Sequence, residues 1–342
     1  MLRRTFASVF LALGLMAAPA FAQEELPGEG VTVQPAVATW QSALPIEAIF
    51  ATLLEELGYD VEPAQSVSNP IFYQSVTQGD VDYWANGWFP LHNNQTPANF
   101  DDNAEIVGTI VENGAIQGYL ASAEAVEEYG ITSLEDFKRP EVKEAFDADG
   151  DGKADLVACP PGWGCEIVIE HHLDAYDLRD DVNDIKASYS ASFADALARE
   201  RNGEPVLYYT WTPNFTVVEL VPGEDVTWIN VPETNPTEGQ AGFEDAMTAS
   251  GVAGAVSDPL DMGFVANDIN AVANSDFLEA NPAARALLEQ IEIPLADVSN
   301  MTQRIANGES SDAEIDAMAL QWIADNQDAV EGWIDAAIDA AR

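Results

Sequence analysis

Strand-like and helix-like patterns alternate along most of the chain, and this alternation restricts the fold more than any other feature of the sequence. Residues 31–39 have a strand pattern, and the apolar residues between 46 and 57 then lie on one face of a helix. A second strand pattern at 61–67 leads to Asn69 and Pro70, a pair that is typical of a helix start. Alternation of this kind predicts α/β layers in which helices cover mixed sheets.

The alternation continues through the middle of the chain. Further strands are predicted at 81–85, 156–158, 185–190, 206–210 and 226–231, and further helices at 69–78, 123–129, 165–176 and 192–201. From residue 282 onward the pattern is almost entirely helical. Residues 232–254 are rich in Pro, Gly, Thr and Glu and lack periodicity, so they are predicted to form a long surface loop.

Residues 1–22 have the pattern of a cleavable secretory signal peptide. Arg3 and Arg4 precede an apolar run at 6–18, and residues 20–22 form a small-x-small cleavage site. A membrane anchor is the alternative, and it is disfavoured because the run is short and ends in a cleavage site. The sequence therefore predicts a periplasmic protein whose mature chain starts at Gln23, and the remaining length of about 320 residues predicts two domains.

The charge balance argues against some classes of partner. The chain has 13 Lys and Arg residues against 59 Asp and Glu residues, a formal net charge of −46. Such a surface repels nucleic acid and anionic membranes, so neither is expected as a partner. The acids are spread along the whole chain, which favours a hydrated surface suited to a salty medium over a trap for a cationic substrate.

Cys159 and Cys165 are the only cysteines in the sequence. In an oxidising compartment a close pair usually forms a disulfide, although so small a ring gains only about 2 kcal/mol of stability. Its main effect would be to fix the loop at 160–164. A metal site is the weaker alternative, because two thiolates alone do not make a structural zinc site.

Three of the eight tryptophans occur where α/β proteins commonly bind ligands. Each follows an apolar strand-like run or lies in a Gly/Pro turn, and these three are Trp88, Trp163 and Trp211. Partial burial under a loop is the alternative for any one of them, but three together favour function. The other five lie in periodic segments and are predicted to pack in the core: Trp40, Trp84, Trp228, Trp322 and Trp333.

Three indole faces directed at one point would form a site for a permanent cation. A quaternary ammonium has no N–H group, so ring quadrupoles hold it, at about 0.5–2 kcal/mol per face in a dry site. A betaine also carries a carboxylate, for which His92 and the backbone N–H groups of Gly164 and Cys165 are candidate donors. For His92, a loop histidine bonded to the backbone is the alternative.

Three motifs carry a resemblance to a known family. They are residues 88–92 (WFPLH), residues 150–166 with their GDGKADL and PGWGCE segments, and residues 208–213 (YYTWTP). With these motifs the chain resembles the glycine betaine/proline betaine-binding proteins of ABC importers, the ProX-like family of periplasmic solute-binding proteins. The resemblance runs from about residue 26 to residue 333 and is weaker between 231 and 264.

The resemblance implies a two-lobed, type II-like α/β fold whose lobes close over the ligand in a cleft. Lobe 1 is expected at 23–114 and 260–342, and lobe 2 at 115–259. The implied site consists of an aromatic box, three carboxylate contacts and a disulfide: Trp88, Trp163 and Trp211; His92 and the amides of Gly164 and Cys165; and Cys159 with Cys165. The expected protein is a monomeric substrate-binding subunit, neither an enzyme nor dependent on a cofactor, that delivers its ligand to an inner-membrane ABC permease.

The sequence leaves the preferred solute open. Glycine betaine, proline betaine, dimethylsulfoniopropionate, choline and trimethylamine N-oxide all present a methylated onium group. Choline lacks a carboxylate, so it should bind less well if His92 acts as predicted. A periplasmic hydrolase of small betaines is the alternative from another class. It is disfavoured because the sequence has three histidines and neither a G-x-S-x-G nor an H-E-x-x-H pattern.

An acidic turn is an independent candidate site. Residues 147–155 match the first nine positions of a calcium loop, with Gly152 at the sharp turn. The candidate oxygen ligands are Asp147, Asp149, Asp151 and Asp155. Position 12 is Ala158, where a calcium loop has a bidentate glutamate, so a solvated acidic turn is the alternative to a structural calcium site.

Overall fold

The computed structural model describes residues 26–342, so the predicted signal peptide lies outside the described residues. The strands are β1 (Thr32–Val33), β2 (Pro35–Val37), β3 (Asp60–Val61), β4 (Gln65–Ser66), β5 (Tyr83–Phe89), β6 (Ala104–Ala115), β7 (Gln117–Ser122), β8 (Ala154–Val157), β9 (Val182–Ile185), β10 (Leu207–Trp211), β11 (Val226–Ile229), β12 (Thr248–Ala249), β13 (Leu260–Asp261) and β14 (Asn267–Asn274).

The helices cover these strands and make up most of the C-terminal part of the chain. The α-helices are α1 (Ala43–Glu56), α2 (Asn69–Gln78), α3 (Phe100–Asn103), α4 (Ala123–Tyr129), α5 (Pro140–Phe146), α6 (Gly164–Ala175), α7 (Tyr189–Arg201), α8 (Thr216–Glu219), α9 (Ser275–Ala280), α10 (Pro282–Leu288), α11 (Leu295–Ala306), α12 (Asp312–Asp325) and α13 (Gln327–Ala340). Short 3-10 helices lie at Leu91–Asn94, Leu134–Lys138, Glu238–Gln240 and Glu244–Met247. None of the helices within residues 26–342 is long and apolar enough to span a bilayer.

The first mixed sheet, sheet A, has the strand order β4-β2-β5-β14-β6. Strand β2 runs parallel to β4 and β5, whereas β14 is antiparallel to β5 and β6. Helix α1 packs on β5 because its apolar residues, among them Ile46, Phe50 and Leu53, are fully buried. The C-terminal helices complete this layer, since α12 packs against α1 and α13 packs against α10.

The second mixed sheet, sheet B, has the strand order β11-β7-β10-β8-β9. Strand β8 runs parallel to β9 and β10, whereas β7 is antiparallel to β10 and β11. Helices α4, α5 and α7 pack on its strands. Both sheets therefore combine a parallel half with an antiparallel half, and the predicted α/β class with helices flanking mixed sheets is confirmed.

The chain passes from sheet A to sheet B through a single residue. Strand β6 ends at Ala115 and β7 begins at Gln117, so Ile116 alone joins them. Thr212, which follows β10, is bonded to this link: its N–H donates to the carbonyl of Ile116 (2.9 Å) and its hydroxyl to that of Gly114 (2.9 Å). The return to sheet A lies between β11 and β14.

The sequence pattern predicts most elements but misplaces one strand. The helices predicted at 69–78 and 123–129 have the same bounds in the structure, as α2 and α4. The strand predicted at 185–190 is wrong, because β9 ends at Ile185 and α7 begins at Tyr189. Tyr189 and Phe193 lie one helical turn apart, and both are buried with their rings stacked at 6.4 Å. The helical period therefore continues further toward the N-terminus than the apolar run indicates.

Strand β14, in the interior of sheet A, is not predicted by the pattern. Four of its eight residues are Asn or Asp, which hides the apolar alternation. Asn270 and Asn274 are nevertheless buried, because their side-chain amides donate to the carbonyls of Gly108 (3.3 Å) and Val76 (2.8 Å). Polar residues with such partners can occupy a sheet interior.

The segment 232–254 is more ordered than the predicted surface loop. It contains the 3-10 helices Glu238–Gln240 and Glu244–Met247, and Gln240 and Met247 are fully buried. The first of these helices packs against the 3-10 helix Leu91–Asn94, which follows β5. The surface-loop prediction is therefore wrong for these residues, since they make contacts that join the two sides of the molecule.

Candidate functional site

A cavity lies between sheets A and B. Its lining includes residues from the end of β5, from the first residue of β7, from the end of β10 and from the start of α6. The six residues singled out from the sequence all lie on its wall: Trp88, His92, Trp163, Gly164, Cys165 and Trp211. These six residues come from three separate chain segments, which the packing of the two sheets brings together.

The three predicted tryptophans occupy different local settings. Trp88 lies inside β5 rather than after it, and Trp211 is the last residue of β10. Trp163 directly precedes α6, and its ring meets that of Trp211 edge-to-face at 5.4 Å. All three are buried to more than nine-tenths, although they line a cavity.

Trp40 packs in the core as predicted, but it also lies on the cavity wall, which the sequence analysis did not predict. It lies in the turn between β2 and α1 rather than in a periodic segment, and its ring is 5.4 Å from that of Trp163. The sequence signal was present, because Trp40 directly follows a strand pattern as Trp88 and Trp211 do. The remaining tryptophans pack as predicted. Trp84 and Trp228 are buried, and Trp322 stacks on Trp333 in the C-terminal helices.

His92 is buried in the 3-10 helix after β5 and is bonded on both ring nitrogens. Its Nδ1 accepts the backbone N–H of Trp88 (3.1 Å) and lies 2.7 Å from the hydroxyl of Tyr73. Its Nε2 lies 2.9 Å from the side-chain amide of Asn69. Burial lowers the pKa of His92 to about 3. The ring is therefore neutral at ordinary pH, and the tautomer decides whether Nε2 donates or accepts at its contact with Asn69.

The N-terminus of α6 opens onto the cavity at Gly164 and Cys165. The first N–H groups of a helix have no acceptor within the helix, so they are available to an anion. Glycine is needed at 164, since a Cβ there would lie 2.9 Å from both Leu91 Cγ and His92 Cδ2. This close approach brings the helix terminus and the imidazole to the same end of the cavity.

Cys159 and Cys165 form the predicted disulfide. The bond closes the loop that carries Trp163 and joins that loop to the first turn of α6. Outside the loop, the indole N–H of Trp163 donates to the hydroxyl of Thr39 (2.7 Å), on the sheet-A side. Trp163 is therefore held from both sides of the cavity.

Further polar contacts join the two sides of the molecule near the cavity. The amide of Asn94 donates to the hydroxyl of Thr237 (2.9 Å), and its Oδ1 accepts the N–H of Gly239 (2.9 Å). The amide of Gln95 donates to the carbonyl of Gly162 (3.2 Å). The two sheets therefore adopt a closed arrangement around the cavity.

The acidic turn lies away from the cavity. Carboxylate oxygens of Asp147, Asp149 and Asp151 lie within 4.8 Å of one another, and these groups are half-buried or exposed. The carboxylate of Asp155 has other partners: it accepts the N–H of Ala148 (2.9 Å) and the amide of Asn183 (3.2 Å). The structure thus groups three of the four predicted calcium ligands.

Comparisons with known proteins place this geometry in a family. The glycine betaine-binding periplasmic protein OusX of Dickeya dadantii is 38% identical over 322 residues, 94% of each chain. The glycine betaine/proline betaine-binding periplasmic protein of Salmonella typhimurium is 36% identical over 337 residues, 98% of each chain. The fold is similar to that of lactococcal OpuAC, solved closed with glycine betaine. The TM-score is 0.67 at 19% identity, covering 89% of this chain and 99% of that one.

A family model also matches the chain directly. The model describes the substrate-binding domain of an ABC-type glycine betaine transport system, and it matches residues 31–325. This range contains both sheets and every residue of the cavity wall. The chain belongs to the family of substrate-binding domains of ABC-type glycine betaine transport systems.

Proposed function

We propose that the chain is the periplasmic substrate-binding subunit of an ABC importer and that it captures glycine betaine or a closely related onium solute. The observation that carries the proposal is a cavity lined by indoles from three separate segments, Trp88, Trp163 and Trp211, beside the N-terminus of α6. Aromatic faces suit a methylated cation, and helix amides suit a carboxylate. A betaine is a small zwitterion that carries both groups.

The energetics require that both ends of the ligand are bound. Three aromatic faces at about 0.5–2 kcal/mol each supply only a few kcal/mol, whereas a micromolar site needs about 8 kcal/mol. Burial of the methyl groups supplies part of the difference. Hydrogen bonds to the carboxylate, at about 1.5–3 kcal/mol each, supply the rest. Choline lacks the carboxylate and is therefore expected to bind more weakly than glycine betaine.

We assign the carboxylate to Nε2 of His92 and to the backbone N–H groups of Gly164 and Cys165. The assignment is supported by the common location of these groups on the cavity wall and by the close packing of Gly164 on His92. For a neutral imidazole to donate to the carboxylate, Nε2 must carry the ring hydrogen and exchange its contact with the Asn69 amide for the ligand. The onium group then lies toward the indoles, where the cavity has aromatic walls.

Ligand capture would proceed by closure of two lobes. Lobe 1 comprises residues 23–114 and 260–342 and carries Trp88 and His92; lobe 2 comprises residues 115–259 and carries Trp163, Gly164, Cys165 and Trp211. A ligand that contacts both lobes stabilises the closed form, and an inner-membrane ABC permease would recognise that form. The single-residue link at Ile116 and the contacts of Asn94 across the cavity support this division.

The protein would act as a monomer in the periplasm after removal of residues 1–22. Two observations support this location. The two relatives described above are named as periplasmic proteins. A disulfide such as Cys159–Cys165 persists in oxidising compartments outside the cytoplasm.

Isothermal titration calorimetry on the mature chain, residues 23–342, tests the ligand assignment. The panel is glycine betaine, proline betaine, dimethylsulfoniopropionate, choline and trimethylamine N-oxide, with glycine and proline as unmethylated controls. Glycine betaine or another methylated carboxylate solute should bind at micromolar or tighter Kd, and choline at least about 10-fold more weakly. Binding of glycine as tight as that of glycine betaine, or no binding of any onium solute, would refute the proposal.

Two further parts of the proposal have separate tests. The protein is proposed not to be an enzyme, so glycine betaine should be recovered unchanged after incubation, as measured by mass spectrometry.

A structural calcium ion is proposed at Asp147, Asp149 and Asp151. Asp155 could join only if its carboxylate gave up the hydrogen bond from the N–H of Ala148. Added calcium should then raise the Tm of the mature protein, and an unchanged Tm in wild type would refute the calcium site.

A further inference from the structure

Trp40 reaches the cavity from a turn that connects β2 to α1. Its ring lies 5.9 Å from that of Trp84, which is part of the sheet-A core. It also meets the ring of Trp163 at 5.4 Å, nearly edge-to-face. Trp40 therefore contacts sheet A on one side and an indole of the opposite cavity wall on the other.

A single oxygen atom fixes two of the indoles. Oδ1 of Asn86 accepts hydrogen bonds from Nε1 of Trp40 (2.8 Å) and from Nε1 of Trp88 (2.9 Å). Asn86 is in β5 and is 2% exposed, so water does not compete for this oxygen. Because both polar ring edges are occupied by the protein, both rings keep a fixed orientation beside the cavity.

We propose that Trp40 supplies a fourth aromatic face to the cation site and that Asn86 is the positioning residue that fixes Trp40 and Trp88. This inference rests on the proposed function and deepens its cation site. The indole quadrupole attracts a permanent cation at each face, so a fourth face increases affinity for the onium group and not for the carboxylate. Since Trp40 also packs against Trp163, the fourth face is complete only when the two sheets are closed.

The test uses tetramethylammonium and glycine betaine as probes, with affinities measured by calorimetry on the mature protein. Tetramethylammonium has the onium group without a carboxylate. Trp40→Leu should weaken binding of both probes by a similar factor, about 3- to 30-fold, because it removes one aromatic face. Trp40→Phe keeps a smaller aromatic face and should weaken both by about 2- to 5-fold.

Trp84→Phe is the matched control. Trp84 touches Trp40 but does not line the cavity, so this variant should bind both probes like wild type once it is folded. Thermal unfolding of each ligand-free variant verifies the fold. If Trp40→Leu binds both probes as tightly as the wild-type protein, the inference is overturned. If Trp40→Leu does not fold, wild-type affinity of Trp40→Phe overturns it instead. Failure of the wild-type protein to bind either probe overturns the proposed function instead.

Asn86 is tested by a pair of substitutions with different hydrogen-bonding capacity. Asn86→Leu removes the acceptor of both indoles and should weaken tetramethylammonium binding by about 10-fold. Asn86→Gln keeps an uncharged amide acceptor and should restore part of that affinity. A merely structural residue would lower the Tm without this difference in affinity. Equal tetramethylammonium affinities in the Leu and Gln variants would overturn the positioning role.

Gln117 carries a second inference, from a separate observation. It is the first residue of β7, lines the cavity and is 1% exposed. Its Oε1 accepts the hydroxyl of Tyr209 (2.5 Å), whereas its Nε2 has no partner within residues 26–342. A buried amide donor without an acceptor is costly, and an oxygen of the ligand would satisfy it.

We infer that Nε2 of Gln117 donates to a carboxylate oxygen of the ligand and so favours betaines over choline-like solutes. Gln117→Met has a similar length and no donor, so it should weaken glycine betaine by about 5- to 10-fold and leave tetramethylammonium unchanged. Gln117→Glu adds a like charge and should weaken glycine betaine further while retaining tetramethylammonium. An equal effect of Gln117→Met on both probes, or no effect on either, would overturn this inference.

Discussion

The two walls of the cavity use the same residue types but fix them in different ways. On the side of the cavity that sheet A contributes (the sheet-A wall), the indole N–H groups of Trp40 and Trp88 both donate to one oxygen of Asn86. On the sheet-B wall, Nε1 of Trp211 and Nε2 of Gln117 have no partner within the described part of the chain. The sheet-A wall thus satisfies its two indole N–H groups locally, whereas the indole N–H of Trp211 on the sheet-B wall is unpaired among residues 26–342. Unpaired amide atoms in this range occur on both sides, at Asn69 and Asn86 as well as at Gln117.

Trp163 links the two walls of the cavity. It belongs to the disulfide-closed loop before α6, yet its N–H donates to Thr39 on the sheet-A side. The sheet-B wall therefore completes its hydrogen bonds through the opposite wall and, by our proposal, through the ligand. The indoles of the sheet-A wall are fixed in place before closure, whereas the sheet-B wall gains hydrogen bonds only when the two walls meet. Closure therefore adds contacts that the open form lacks, and this favours the closed, liganded form.

The largest effect is expected from Trp163→Ala, which removes the residue that contacts both walls. It loses an aromatic face together with the contacts of that ring to Trp40 and Trp211. Affinity for glycine betaine should fall by at least about 30-fold in calorimetry, with the ligand-free fold retained by circular dichroism. Trp333→Ala, a half-buried tryptophan in the C-terminal helices, is the control and should bind normally. An affinity of Trp163→Ala equal to wild type would contradict the aromatic-box assignment.

A smaller effect should isolate the hydrogen bond between the walls. Thr39→Val keeps the shape of the side chain but removes the acceptor of the Trp163 N–H. Because that bond spans the two walls, its loss should weaken glycine betaine binding by about 2- to 10-fold, as measured by calorimetry.

Thr39→Ser retains the hydroxyl and serves as the matched control for this contact. Its affinity should stay close to that of the wild-type protein. If the serine and valine variants bound equally well, the contact would have no part in closure.

The smallest effect is expected from pH, and it concerns the sheet-A wall. Burial lowers the pKa of His92 to about 3, so the ring stays neutral from pH 8 to pH 5. Glycine betaine affinity should therefore change less than about 2-fold over that range. A histidine with an ordinary pKa near 6.5 would instead gain a proton as the pH falls and bind the carboxylate more tightly. A rise in affinity below pH 6.5 that is absent in His92→Gln would show that the ring is not neutral.

The same pKa shift has a consequence for stability. Unfolded His92 takes up a proton below about pH 6.5, whereas the folded residue does so only near pH 3. His172, which is fully buried in α6, has its pKa lowered to about 3 in the same way. The unfolded chain thus binds more protons between these pH values, so these two residues make the protein less stable as the pH falls from about 6.5 toward 3.

Much of the site was predictable because its motifs are local. The helix start at Gly164 and Cys165, the paired cysteines and the tryptophans after strands each depend on a few neighbouring residues. The place of Trp40 on the cavity wall was missed, since a tryptophan between a strand and a helix has the same local pattern in a core as on a cavity wall. Strand β14 was missed because buried Asn residues with backbone partners look like solvent-exposed positions in the sequence.

The sequence by itself determined the α/β class, the family motifs and the segments that could bind the cation and the carboxylate of a ligand. Only the tertiary structure decided that Trp40 and Asn86, 46 residues apart, share a hydrogen bond, and that Gln117 keeps an unpaired donor on the cavity wall. Periodicity and capping reflect interactions within a few residues, whereas the packing of two sheets determines which distant side chains become neighbours and which polar atoms are left for a ligand.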